Sequence, residues 1–189
     1  MNVRSLKEIT TELSLLYVED DKDLRDDTSN LFSHLFSTVE TAENGQVALN
    51  KLKTNDYDLI ITDIDMPLLD GVALTRNIRE QDTNQAIIIT SAHNESHYLL
   101  ELIELGIDKF ILKPLDIQQL ISTLFHVCSN IRNKKLINMY KKELESTNLQ
   151  LKSSNDKLAS VVKALDTKLE KLCTAKASTN KIYLRNEQN

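Results

Sequence analysis

The chain has 189 residues, of which 41% are hydrophobic and 27% charged, and its net charge is −5. This length suits one sizeable domain with a smaller second unit. The charge is divided unevenly, because residues 1–129 carry a net charge of −12 and residues 130–189 a net charge of +7. The acidic part is a poor nucleic-acid binder, and the lysines of the basic part are too dispersed to predict such a site.

The cysteine content and the apolar pattern exclude several further classes of protein. Cys128 and Cys173 are two cysteines far apart in the chain, so they predict neither a disulfide framework nor a zinc ligand set. No apolar stretch approaches the roughly 18–20 residues that a membrane span needs, and the first residues lack the pattern of a secretion signal. We therefore expect a cytoplasmic protein that does not bind membranes.

From residue 11 to residue 130, short apolar runs alternate with longer amphipathic segments, which predicts a parallel α/β sheet. The continuous apolar run at residues 87–89 is typical of a strand covered by helices on both faces. Asp21 suits a helix N-cap and Gly106 a helix C-terminus. The predicted strands are residues 13–18, 39–42, 57–62, 86–91 and 107–112, and the predicted helices lie near residues 21–36, 44–54, 71–81 and 94–105.

No glycine or proline follows Pro114, so nothing in the backbone chemistry ends a helix in the last part of the chain. Apolar residues are dense up to residue 131, which predicts a last helix packed on the sheet, and beyond it one recurs at every seventh position. Leucine at heptad d positions with Asn148 and Asn155 at a positions favours a parallel two-stranded coiled coil. We predict a dimerisation helix over residues 131–176 and a frayed tail over 177–189; the alternative is a single surface helix along its own domain. The predicted seam comprises Ile137, Leu144, Asn148, Leu151, Asn155, Leu158, Val162, Leu165, Leu169 and Leu172.

Charged side chains stand at the carboxyl ends of three predicted strands, where open α/β sheets bind their ligands. Glu19 and Asp20 follow the first strand, Asp63 follows the third and Lys113 the fifth. Crowded carboxylates repel one another unless a cation neutralises them, and oxygen ligands with open positions suit Mg²⁺. A carboxylate can also act as a nucleophile toward phosphorus, with a metal and a lysine offsetting the charge. The pattern predicts a site for a divalent metal and a phosphoryl group.

Four segments, in order, resemble the receiver domain of two-component response regulators. They are Leu-Leu-Tyr-Val-Glu-Asp-Asp (15–21), Ile-Ile-Thr-Asp-Ile-Asp-Met-Pro-Leu-Leu-Asp-Gly (60–71), Ile-Ile-Ile-Thr-Ser-Ala (87–92) and Phe-Ile-Leu-Lys-Pro (110–114). The resemblance covers residues 11–130. It implies a (βα)5 doubly wound parallel sheet with strand order 2-1-3-4-5. It also implies a receiver that accepts a phosphoryl group from a sensor histidine kinase, with Mg²⁺ as cofactor.

The resemblance assigns the acidic residues by their positions. It implies that Asp63 is the phosphoacceptor. It implies that Mg²⁺ is held by Glu19, Asp20, Asp63 and the backbone carbonyl of Asp65. The alternative for Asp63 is a capping residue in a receiver that is not phosphorylated.

The same resemblance assigns phosphate contacts to Ser91, to the backbone of Ala92 and to Lys113. In that family the hydroxyl residue is followed by alanine and lies 22 residues before the lysine, so the resemblance selects Ser91, which precedes Ala92, over its neighbour Thr90. Ser91 and Phe110 take the positions of the hydroxyl and aromatic switch residues. For Phe110, simple strand packing is the alternative.

These observations predict a response regulator of a two-component phosphorelay, phosphorylated on Asp63 and relaying the change to a downstream protein through a parallel homodimeric coil. After residue 130 there is no glycine loop, catalytic constellation or helix-turn-helix, so we expect a phosphoacceptor without a separate catalytic domain. Two alternatives stay open. One is the receiver and linker of a larger output enzyme, such as a diguanylate cyclase or a hybrid kinase, and the other is a phosphorylation-independent dimeric scaffold.

Overall fold

The computed structural model describes residues 3–92 and 98–186, with side chains for all of these except Leu99 and residues 175–186. The chain divides into two units, Met1–Lys135 and Leu136–Asn189. The described residues include no helix long and apolar enough to cross a bilayer. The elements are α1 Val3–Thr10, β1 Ser14–Val18, α2 Lys22–Ser33, β2 Thr38–Ala42, α3 Gly45–Leu52, β3 Leu59–Asp63, α4 Gly71–Gln81, β4 Ala86–Ser91, α5 Leu99–Glu104, β5 Lys109–Leu112 and α6 Ile117–Asn186.

The five strands form one parallel sheet in the order β2-β1-β3-β4-β5. Strands β3 and β4 are buried along their whole length, as expected of continuous apolar runs that helices cover on both faces. One face packs against α1, α2 and the first turns of α6, and the other packs against α3, α4 and α5. The predicted doubly wound fold and strand order are confirmed.

The predicted strands agree with the observed ones to within two residues at each end. Helix α2 ends at Ser33, three residues before the predicted end, because the backbone N–H groups of Leu35 and Phe36 both turn back to the carbonyl of Phe32. Asp21 caps α2 as predicted, accepting a hydrogen bond from the N–H of Leu24 at 3.0 Å. Gly106 follows α5 with a φ of 70°. The predicted helix at 94–105 begins among residues that lie outside those described.

Helix α1 was not predicted from the sequence. Its Leu6 side chain is fully buried in the core on the α2 and α6 face of the sheet. The buried hydroxyl of Thr10 lies 3.1 Å from the carbonyl oxygen of Leu6 and 2.7 Å from that of Leu35. A helix of eight residues is not stable alone in water, so these tertiary contacts hold α1 in place.

Truncation of Leu6 tests whether α1 belongs to the folded domain. We expect Leu6→Ala to lower the free energy of unfolding by about 2–5 kcal/mol, because it leaves a cavity among buried side chains. The matched control is Val3→Ala on the same helix, where the side chain is 52% exposed, with an expected change of about 0.5 kcal/mol or less. Urea unfolding followed by circular dichroism measures both, and equal midpoints for the two variants would contradict a core role for α1.

Candidate functional site

A lysine and two buried carboxylates meet at the carboxyl edge of the sheet. Lys113 Nζ lies 2.8 Å from Glu19 Oε2 and 2.7 Å from Asp63 Oδ2. Glu19, Asp20 and Asp63 each have a carboxylate oxygen within 4.8 Å of the others, and Asp20 is the exposed member. The sequence places these four residues at the ends of three different strands, and the structure brings them together.

Two residues that were not predicted as site residues support this cluster. The buried hydroxyl of Tyr17 donates to Glu19 Oε2 at 3.1 Å. Arg25 Nη1 donates to the backbone carbonyls of Glu19 at 2.5 Å and Asp20 at 3.1 Å. Tyr17 could have been found from the alternation of a strand, which puts residues two apart on the same face. Arg25 lies inside α2, and no sequence pattern indicated it.

The electrostatics of the cluster follow from its burial. Burial raises the pKa of Asp63 from 3.8 to about 6, although the hydrogen bond and charge of Lys113 act in the opposite direction. Burial lowers the pKa of Lys113, but its hydrogen bonds to Asp63 and Glu19 and their charges outweigh this effect and raise it. Burial, followed by the charge of Glu19, raises the pKa of the Tyr17 hydroxyl. At neutral pH, Lys113 is therefore a cation and Tyr17 a neutral donor.

The donor set of the cluster fits a divalent cation. All three candidate side chains offer carboxylate oxygens within 4.8 Å of one another, which is the ligand type that Mg²⁺ and Ca²⁺ prefer. Three carboxylates face the ammonium of Lys113 and the guanidinium of Arg25, which still leaves an excess of negative charge. Asp20 is open to solvent, so the cluster has a side from which an ion and a phosphoryl group can enter.

The structure also places the predicted hydroxyl residues. Ser91 ends β4 and pairs with Leu112, and its backbone carbonyl accepts from the N–H of Lys113 at 2.8 Å. The Ser91 hydroxyl donates to the carbonyl oxygen of Ala92 at 2.9 Å. Thr90 pairs with Asp63 across the sheet, and strand alternation sends its side chain to the face opposite Ser91. Ser91 thus lies beside the backbone that carries Lys113.

Two further predicted residues lie near the same edge. Asp65 is exposed in the loop that follows β3. Phe110 lies in β5 and is half-buried against the core on the α3, α4 and α5 face. Their suggested roles as a metal ligand and a switch residue stay predictions.

The loop between β3 and α4 is held at its base. The N–H of Gly71 donates to the carbonyl of Ile64 at 2.8 Å, and the N–H of Gly45 donates to the carbonyl of Leu69 at 3.1 Å. A side chain at Gly71 is excluded, because its Cβ would lie 2.1 Å from the carbonyl oxygen of Asp63. The first turn of α4 is therefore in direct contact with the backbone of Asp63.

At the tip of this loop, Leu68 has a φ of 69°, a left-handed conformation that a leucine rarely adopts. The N–H of Leu69 donates to the carbonyl of Pro67 at 2.9 Å, which closes a γ-turn centred on Leu68. Such a backbone conformation costs of order 1–3 kcal/mol. The hydrogen bonds at the base of the loop help to hold this strained turn.

The pKa of Asp63 gives a stability prediction in the presence of a chelator. The carboxyl group of Asp63 has a pKa of about 6 in the folded chain and its usual pKa of 3.8 in the unfolded chain. Between these pH values the folded chain binds the proton more tightly, so the free energy of unfolding falls as the pH rises through that window. The amide introduced by Asp63→Asn does not titrate, so we expect this variant to be more stable than wild type by about 2–3 kcal/mol at pH 7.5 and by little at pH 4. Urea unfolding at the two pH values measures the difference, with Asp65→Asn as the exposed control. A gain that does not depend on pH would contradict the raised pKa.

Comparison with known proteins agrees with this geometry. The family model of the response regulator receiver domain matches residues 15–125. The response regulator ArlR of Staphylococcus epidermidis is 31% identical over 126 residues, which is 67% of this chain and 57% of that protein. The chain therefore spans little more than half the length of this curated relative.

Solved structures share the fold over about two thirds of the chain. A Francisella response regulator receiver domain is 30% identical with a TM-score of 0.57, covering 63% of this chain and 98% of that one. The N-terminal domain of an uncharacterized protein from Wolinella succinogenes is 34% identical with a TM-score of 0.60, covering 67% and 98%. With its strand order, its acidic cluster and its matched residues 15–125, the chain belongs to the response regulator receiver domain family.

Proposed function

We propose that the chain is the response regulator of a two-component phosphorelay and accepts a phosphoryl group on Asp63 from a sensor histidine kinase. The observation that carries this proposal is the placement of Asp63. Its carboxylate is recessed at the end of β3, 2.7 Å from the ammonium of Lys113 and within 4.8 Å of two further carboxylates. This arrangement suits a nucleophile that must receive a highly charged group.

In the proposed reaction, a carboxylate oxygen of Asp63 bonds to phosphorus as the P–N bond of a phosphohistidine breaks. The imidazole nitrogen leaves with the electron pair of that bond and takes a proton from solvent. Lys113 offsets the charge that the phosphoryl oxygens bring. Glu19 holds the ammonium of Lys113 through both carboxylate oxygens, at 3.1 and 2.8 Å, so the cation is already positioned.

We propose that Glu19, Asp20, Asp63 and the backbone carbonyl of Asp65 hold Mg²⁺. When bound, Mg²⁺ would offset the negative charge of the carboxylates and of the transferring phosphoryl group. The support for this ligand set is its chemistry, since it offers hard oxygen donors with an excess of negative charge and an open side. Tyr17 orients Glu19 by a hydrogen bond, as outer partners of metal ligands commonly do.

The conformational response is assigned to the end of β4 and to β5. The hydroxyl of Ser91 and the backbone of Ala92 would contact the phosphoryl oxygens together with Lys113. Because the Ser91 hydroxyl donates to the carbonyl of Ala92, it must turn to reach the phosphoryl group. We propose that this draws the end of β4 toward the phosphoryl group and lets Phe110, half-buried in β5, rotate inward.

Labelling with a small phosphodonor tests the phosphoacceptor. After incubation with acetyl phosphate and Mg²⁺, we expect intact mass spectrometry to find one added phosphoryl group on the wild-type chain and none on Asp63→Ala. Asp65→Asn is the matched control and should still be labelled, because only its backbone carbonyl is assigned a role. The label should also be absent when EDTA replaces Mg²⁺. Labelling of Asp63→Ala to the wild-type extent would refute the proposal.

The second unit supports a proposal about assembly. In its described side chains, the heptad d positions from Ile137 to Leu172 are all exposed, as are Val162 and Leu169 at a positions. A row of exposed apolar side chains at a seven-residue spacing is typical of a helix that pairs with another. We propose that residues 131–176 form a parallel homodimeric coiled coil that relays the state of the receiver at 11–130 to a downstream protein. Helix α6 continues to Asn186, and fraying of 177–189 stays a prediction, with 187–189 outside the described residues.

Charged substitutions in the proposed seam test the dimer. We expect wild type to be a dimer at micromolar concentration, and the variant carrying Leu158→Asp and Leu165→Asp to dissociate with a Kd at least a hundredfold higher, because carboxylates would face each other in an apolar seam. The control is Leu149→Asp, an exposed leucine outside the a and d positions. Sedimentation equilibrium measures all three. A monomeric wild type, or equal Kd values for seam and control variants, would contradict the coil.

A further inference from the structure

Leu68 combines two properties that are each unfavourable for a leucine. Its side chain is 85% exposed, and its φ of 69° lies in the left-handed region. A single exposed leucine is ordinary on a protein surface, and a left-handed residue is ordinary when it is glycine or asparagine. Packing does not explain a leucine at this position, and a glycine or asparagine would suit its backbone conformation better.

The position of Leu68 relates this residue to the phosphoacceptor. It comes five residues after Asp63, in a loop whose end returns to the residue after β3, because the N–H of Gly71 donates to the carbonyl of Ile64 at 2.8 Å. The turn itself is closed by the hydrogen bond between Leu69 and Pro67. The side chain is thus presented to solvent by an ordered backbone, which lowers the entropy that a partner must offset on binding.

A protein that delivers a phosphoryl group must come close to this loop. Asp63 is only 7% exposed, so the donor group has to enter the recess at the strand ends. The protein surface around the donor group then contacts the exposed part of the same loop, where Asp65 and Pro67 lie beside Leu68. Acidic residues surround the phosphoacceptor, so Leu68 is the feature of this loop that can bury a large apolar area.

We propose that Leu68 is a docking residue that inserts into an apolar recess beside the phosphohistidine of the protein phosphodonor. This inference rests on the proposed function and adds a specificity-determining contact to it. A small donor such as acetyl phosphate needs no such contact, because it reaches Asp63 without covering the loop. Leu68 therefore acts in transfer from a protein and not in the chemistry of Asp63.

The test compares two phosphodonors on variants of the whole 189-residue chain. The protein donor is the autophosphorylated cytoplasmic core of a histidine kinase. A panel of purified kinases is screened, and the first one that labels the wild-type chain is used. The small donor is acetyl phosphate with Mg²⁺. Leu68→Ala removes the apolar side chain but leaves a residue that is strained at a positive φ. Leu68→Gly removes both the side chain and the strain. Leu68→Met keeps the apolar area. The control Leu149→Ala truncates a leucine that is 70% exposed in an ordinary helix.

We expect Leu68→Ala and Leu68→Gly to slow transfer from the kinase about tenfold or more, since burial of a leucine side chain accounts for at least that factor. Leu68→Met and Leu149→Ala should stay near the wild-type rate, and labelling by acetyl phosphate should not change in any variant. Leu68→Gly should also be more stable to urea than Leu68→Ala, as relief of strain requires.

Other results overturn the inference. Unchanged transfer from the kinase in both truncations excludes the contact. A defect in Leu68→Gly alone assigns the effect to the backbone of the turn, and slower labelling by both donors assigns it to the site itself. The absence of labelling by either donor would refute the proposed function as well.

Discussion

One ammonium group holds two buried carboxylates together at the carboxyl edge of the sheet. Lys113 follows β5 at one side, whereas Glu19 and Asp63 come from β1 and β3 nearer the middle, so the ion pairs join strands that are not all neighbours. Removing a cation from such a site leaves buried charges unpaired, which costs about 3–5 kcal/mol. The same group that stabilises the strand ends also gives Asp63 a positively charged neighbour, so stability and reactivity depend on one side chain.

The main features of the fold could be predicted because they depend on local patterns. Buried parallel strands leave continuous apolar runs in the sequence, and Asp21 and Gly106 mark helix ends through their own side-chain and backbone properties. Helix α1 leaves only a short amphipathic spacing, with Leu6 and Ile9 on the packed side, and no continuous apolar run. It depends on the burial of Leu6 and on the contact of Thr10 with Leu35, which is 25 residues away in the chain.

The same distinction applies to the site. Glu19, Asp20, Asp63 and Lys113 could be predicted to converge, because a parallel sheet brings all its carboxyl ends to one edge. Arg25 could not, because its contacts are with backbone carbonyls that any sequence provides. The conformation of Leu68 could not be predicted either, since leucine gives no indication of a positive φ and the hydrogen bonds at the base of its loop involve backbone atoms.

The uneven division of charge along the chain has a consequence for assembly. Residues 130–189 carry a net charge of +7, so two such helices lying parallel and in register would repel each other along their length. Dissolved salt screens that repulsion within about 10 Å at 0.1 M ionic strength. Ionic strength would therefore strengthen the proposed dimer while it weakens the attraction between the acidic receiver and any basic partner surface, and the two associations would respond to salt in opposite directions.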